Sequence, residues 1–333
     1  MTPIRELAGA PPDALSDARL CDLQPWVQRG LVAHWPMVGA ARRSMADAAA
    51  YLKSAWSGQP VGMLVAEPRL QGRFFYNEAM TGMNFARATG PLDELLDVLL
   101  KLADDPQAPG LYMGSTEVDG WLPSFRAAND LPLGARNPLV SAWIGNRSRI
   151  AAHFDLPDNL ACVVAGRRRF TLFPPEQLAN LYVGPLDLTP AGQPVSLVDF
   201  ANPDLERHPR FAQALEHAQV AELEPGDAVF IPSMWWHHVE SLTPLNVLIN
   251  YWWRQSPDYM DSPMGALLAG LLTMRDLPPA QRRIWHDLFE HYVFAPDADT
   301  AAHIPPNART ALAPLTDTVA RHLRQNVLNR FKR

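Results

Sequence analysis

Two cysteines in 333 residues, Cys21 and Cys162, are too few for a disulfide framework, and the sequence reads as that of a protein kept in a reducing compartment. Long apolar runs are missing as well: no stretch approaches the ~18 consecutive apolar residues that a membrane-spanning helix requires. The opening Met1-Thr2-Pro3-Ile4-Arg5-Glu6 also lacks the apolar run of a signal peptide, so a cytoplasmic protein without a membrane association is expected. Basic charge is not in excess. With 29 Lys and Arg against 35 Asp and Glu, the formal charge is −6 and the pI about 5.9, so the global field gives no reason to expect a nucleic-acid partner. The basic end, with Arg321, Arg324, Arg330, Lys332 and Arg333, the last outside the residues the structure describes, reads as a solvated helix face. Internal repeats and low-complexity tracts are absent. What the chain does have is 47% hydrophobic residues, enough to bury a sizeable core in one elaborated domain or two, and 32 prolines, which favour short elements joined by many turns.

The hydrophobic rhythm changes twice along the chain. Residues 1–110 mix signals: a helix from Ser44 to about Ser57, a strand over 61–66, and an amphipathic helix over 91–103 with Pro91 in its first turn. Residues 111–255 carry short apolar runs at 139–144, 160–164, 169–173, 228–231 and 247–252, separated by Pro, Gly and Asp, which suits a β-sandwich or barrel. Within that stretch, Glu224-Pro225-Gly226-Asp227 is a turn signal that predicts a hairpin entry into the 228–231 strand. Residues 256–333 turn helical, with Ser262 as an N-cap, Pro263 at the first helical position, and apolar faces at Leu267, Leu268, Leu271 and Leu272, then Ile284, Trp285 and Leu288, and finally Val319, Leu323, Val327, Leu328 and Phe331. This is more apolar surface than a short appendage buries alone, and the region is expected to pack on the barrel and form a homodimer interface.

The chemistry concentrates in two clusters, His153-Phe154-Asp155 and Trp235-Trp236-His237-His238. Residues at i and i+2 of a strand project from one face, so His153 and Asp155 pair there, and a histidine from a distant strand closes a triangle. Two histidines and one carboxylate on one face form the triad that holds non-heme Fe(II) and leaves positions open for substrate and oxygen. Spacing alone does not choose between His237 and His238, which face opposite ways on a strand. The neighbouring tryptophans would give the dry wall such a centre needs. In Arg167-Arg168-Arg169-Phe170-Thr171-Leu172, alternation puts Arg168 with Phe170 and Leu172. If that face is interior, Arg168 is a buried cation with no acid nearby in the sequence, and a dicarboxylate ligand is its natural partner.

These residues, together with Leu156-Pro157-Asp158-Asn159, Gly166 to Pro175, Pro225 to Pro232 and Asn250-Tyr251-Trp252, resemble the JmjC/cupin-like Fe(II)- and 2-oxoglutarate-dependent hydroxylases, most of all their asparaginyl-hydroxylase members. The resemblance runs from about Tyr112 to Trp253. It implies a mainly β fold with flanking helices, a double-stranded β-helix or jelly roll, with a mixed N-terminal extension and a dimerising helical C-terminal region. It assigns His153, Asp155 and His237 to the metal, and Tyr112, Asn159, Arg168, Asn250 and Trp252 to 2-oxoglutarate. Fe(II), 2-oxoglutarate and O2 are thereby implied, with hydroxylation of a protein or peptide side chain as the expected reaction. Hydroxylation of a small metabolite and a non-catalytic metal- or ligand-sensing cupin are the alternatives. Two departures stand out: Arg168 replaces the family's common lysine, and Ile150 stands where a close relative has a hydroxyl residue touching the same carboxylate.

Overall fold

Residues 1–8 and 15–332 are described by the structure, a computed structural model, in which the chain divides into two compact units, Met1–Arg254 and Gln255–Arg333. The first unit is built on two sheets. One runs in the order β1 (Thr2–Pro3), β11 (Gln219–Leu223), β10 (Arg168–Phe173), β13 (Trp236–Ser241), β8 (Ser148–His153), β4 (Arg73–Phe74). The other runs β2 (Trp26–Gln28), β12 (Ala228–Ile231), β9 (Asp158–Ala165), β14 (Asn246–Trp253), β7 (Leu139–Gly145), β6 (Gly110–Glu117), β3 (Val61–Ala66), β5 (Phe85–Gly90). Strands β7 to β14 give four antiparallel neighbours to each sheet, which is the jelly roll.

Strands β9 and β12 are apolar over most of their length because both of their faces are covered. In β9, Leu160, Cys162 and Val164 pack outward against the N-terminal helices, while Ala161 and Val163 pack into the barrel. Burying one side chain such as Leu160 contributes about 2 kcal/mol. The covering helices are Pro36–Arg43, Met45–Ala55 and Leu92–Lys101. Ser44 caps the second, its side chain accepting from Asp47 N at 2.9 Å. In the third, Pro91 stands at the N-cap and not in the first turn, and Leu92, Leu95, Leu96 and Leu99 form the buried stripe.

The turn at Glu224–Asp227 is present, closed by Asp227 N donating to Glu224 O at 3.0 Å. It is not a hairpin, because the strands on either side, β11 and β12, lie in different sheets. The turn is a corner of the jelly roll, and Gly226, at φ 111°, occupies backbone space that only glycine enters readily.

The second unit holds helices Pro263–Thr273, Pro279–Phe289 and Asp317–Phe331. Ser262 caps the first and Thr316 the last. Leu267, Leu268, Leu272, Ile284, Trp285, Val327 and Phe331 are all exposed. Among the described residues, no helix is long and apolar enough to cross a membrane.

Candidate metal centre and its cavity

Antiparallel pairing sets His153, the last residue of β8, directly across from His237 on β13, with ring centroids 4.2 Å apart. Each ring is held from behind. His153 Nδ1 lies 2.9 Å from Ala151 O and His237 Nδ1 3.0 Å from Trp235 O. A carbonyl only accepts, so each Nδ1 carries the proton and each Nε2 keeps its lone pair, the tautomer a metal ligand needs. Asp155 lies two residues beyond the end of β8, in a loop and not on the strand that the i, i+2 argument supposed. Its carbonyl accepts from Met234 N at 2.9 Å, which ties the loop to the approach to β13.

One ligand atom from each of His153, Asp155 and His237 lies within 4.8 Å of the other two. Asp155 Oδ2 is buried without a hydrogen-bond partner, 3.5 Å from His237 Nε2. Burial works to raise the Asp155 carboxyl, but His237, His153 and Trp252 outweigh it and hold the group below the ordinary carboxylate range. Burial, aided by His237, pushes His153 down to about 4, so both the carboxylate and that imidazole stand in their metal-binding forms at neutral pH. This donor set fits a divalent iron.

A β-bulge shapes what surrounds the triad. Between His237 and Val239 the pairing with β8 jumps from His153 to Ile150, so two steps on β13 match three on β8. Strict alternation from His153 would turn Ile150 outward, yet both line the cavity, which measures about 1130 Å³.

The cavity floor is a grid of cross-strand rows. Asn159, Trp252 and Leu139 form one, and Ala161, Asn250 and Ser141 the next. Asn159 Oδ1 and Trp252 Nε1 are buried without partners. At the far end Arg168 is 2% exposed, with Phe170 and Leu172 buried beside it along β10. Among the described residues no carboxylate pairs with it: one terminal nitrogen reaches Trp143 O at 3.3 Å, and Nε has no partner. Burial lowers the Arg168 pKa, and the neighbouring Tyr112 opposes that. Tyr112 in turn is pushed up to about 12 by burial, with Arg168 pulling the other way. Gly166, at φ 74°, makes the tight turn that leads into Arg168, and a Cβ there would collide with Leu245 O. All of Tyr112, Asn159, Arg168, Asn250 and Trp252 therefore line the same cavity as the triad.

Two features differ from the sequence reading or escaped it, the place of the tryptophans and the role of Trp143, while His238 lies outside the triad as the resemblance implied. Trp235 and Trp236 do not face the cavity: Trp235 packs inside the barrel core and donates to Leu23 O, and Trp236 packs edge-on to Phe154 at 5.0 Å. The cavity's aromatic wall is Tyr112, Trp143 and Trp252 instead. His238 turns away from the triad and stacks on Phe200 at 4.5 Å, with burial pushing it down to about 3. Trp143 was visible only as a strand residue. Its Nε1 donates to Asn250 Oδ1 at 2.7 Å, which leaves the Asn250 amide nitrogen as the donor turned to the cavity. Alternation along β7 carried the signal, since Leu139, Ser141 and Trp143 share one face.

A family model described as a cupin-like domain matches residues 12–259. Lysine-specific demethylase JMJ31 of Arabidopsis thaliana is 36% identical over 129 residues, 37% of this chain and 23% of that protein. HSPB1-associated protein 1 of Homo sapiens is 38% identical over 135 residues, covering 40% of this chain and 27% of its own length. The tRNA wybutosine-synthesizing protein 5 of Gallus gallus is 36% identical over 105 residues, 32% of this chain and 30% of that protein. The chain thus spans about a quarter to a third of the length of these curated relatives.

Proposed function

Since the chain belongs to the cupin-like, JmjC-type family, we propose that it is an Fe(II)- and 2-oxoglutarate-dependent oxygenase that hydroxylates a C–H bond of a protein or peptide side chain. The observation that carries the reading is a single cavity with unsatisfied groups at both ends: three metal donors at one, a buried guanidinium without a counter-ion at the other. Bound iron would supply the redox chemistry, with O2 and 2-oxoglutarate consumed and succinate and CO2 released. The chain's own part is to hold and orient. His153, Asp155 and His237 present the metal donors. Arg168 forks onto the far carboxylate of the cosubstrate, with the Tyr112 hydroxyl beside it. Asn159, Asn250 and Trp252 offer polar edges in between, and the Trp143 and Trp252 rings keep water from the reacting groups.

A protein substrate is supported by one relative's name, a lysine-specific demethylase, and by the exposed strand β5 at the cavity wall. Ile150 favours a second reading, a ligand-sensing protein without turnover, because it removes a hydrogen bond from the carboxylate end. The exposed apolar residues of the helical unit support self-association through that region. Succinate release decides the main reading. Purified protein with Fe(II), 2-oxoglutarate and a peptide library is expected to produce succinate, and His153→Ala or Asp155→Ala to abolish it; release unaffected by either substitution sinks the assignment. Saturable 2-oxoglutarate binding to the Mn(II)-loaded protein, with no turnover on any peptide or metabolite offered, would favour the sensor.

A further inference from the structure

A second pocket, of about 1180 Å³, adjoins the first and shares Phe85 with it. Its character is different. Arg73 on β4 and Arg149 on β8 are directly paired across the parallel strands, and both turn to one carboxylate, Asp199, at 3.5 and 3.0 Å. Both side chains are three-quarters buried or more. Arg149 is well satisfied, donating also to Gln71 O and Leu70 O. Arg73 is not: besides the long contact to Asp199 it has Leu197 O at 3.4 Å and the face of Phe75 at 4.0 Å. Burial lowers its pKa, Asp199 offsets this and Arg149 adds to it, as expected where one carboxylate serves two cations.

Other charges on the pocket wall leave it positive. Arg207 has no ion pair among the described residues, Arg69 is neutralised by Glu67, and Glu78 is the remaining acid. Arg73, Arg149 and Arg207 against Asp199 and Glu78 leave one positive charge, in a chain whose formal charge is −6. His208, 9% exposed with Nδ1 unpartnered, stands in the same wall. A guanidinium with spare donors, a second free guanidinium and a net positive enclosure match a tetrahedral oxyanion better than a single carboxylate, because three acceptor oxygens can bridge two forks at once.

We propose that this pocket binds a phosphate group, carried either by a small phosphate ester or by a polynucleotide backbone. The site is separate from the triad and does not depend on the oxygenase reading. Calorimetric titration of the metal-free full chain with inorganic phosphate, adenosine monophosphate and a short oligouridylate tests it. Saturable phosphate binding in the millimolar range is expected, weakened about tenfold by Arg73→Gln and about threefold by Arg207→Ala, and unchanged by Arg168→Gln. A nucleotide that binds as tightly as the oligouridylate assigns a small ester. Tighter oligouridylate binding that falls steeply with salt assigns the polynucleotide. The proposal is overturned if none of the three probes binds, if binding survives both Arg73→Gln and Arg207→Ala, or if Arg168→Gln removes it. Should Arg73→Gln fail to fold, the exposed Arg207→Ala decides alone.

Discussion

At one end of the main cavity, two of the three candidate metal donors face each other across one strand pair and the third follows in the loop after β8, and backbone carbonyls two residues upstream fix both imidazoles. At the other end, Arg168 is held by burial, by the neighbouring Tyr112 side chain and by the backbone carbonyl of Trp143, from strands distant in sequence. In the first arrangement each tautomer is set locally, by a carbonyl two residues upstream, while the meeting of the two rings depends on the register of β13 on β8. The second needs three strands in register before the cation has any surroundings at all.

The sharpest break of that contrast comes from Asp155→Ala. It is expected to eliminate stoichiometric Fe(II) or Mn(II) retention and to cut turnover at least ~1000-fold, while shifting the melting midpoint of the metal-free protein only slightly, since the cost of burying the carboxylate and its favourable interactions with His237 and His153 are lost together. Retained metal in that variant would mean that the donors lie elsewhere. Arg168→Gln attacks the other end, and the KM for 2-oxoglutarate is expected to rise ~100-fold with metal affinity intact; a parallel loss of metal would show that the two ends are not independent. Trp143→Phe keeps the ring but frees the Asn250 amide. A ~10-fold rise in KM for 2-oxoglutarate with little change in kcat is expected, and an effect on kcat alone would rule out the positioning role. Smallest is Ile150→Thr, which places a hydroxyl beside the carboxylate end and is expected to lower the same KM ~5-fold, about 1 kcal/mol. An unchanged or higher KM would mean that the cosubstrate pose does not pass near position 150.

Much of the barrel was legible because its strands are short apolar runs cut by turns, and β12, Ala228–Ile231, coincides with its run. The caps at Ser44 and Ser262 were equally plain, being properties of a few adjacent residues. The turn at 224–227 was read as a turn but not as a corner, because a tetrapeptide specifies its own backbone and not which sheet the next strand joins. Trp235 and Trp236 were misplaced for a similar reason: being adjacent, they face opposite sides of the chain, and only the barrel decides that neither side is the cavity.

By itself the sequence determined the donor types, their order and, along regular strands such as β7 and β10, the residues that share a face, all of which follow from covalent neighbours and the period of two. Tertiary structure decided what those neighbours meet. The register of β13 on β8, with its bulge, turns both His153 and Ile150 inward and His238 away, and the row of β7 against β14 puts Trp143 on Asn250. Registers are fixed by the packing of both sheets at once, so no local stretch of chain contains them.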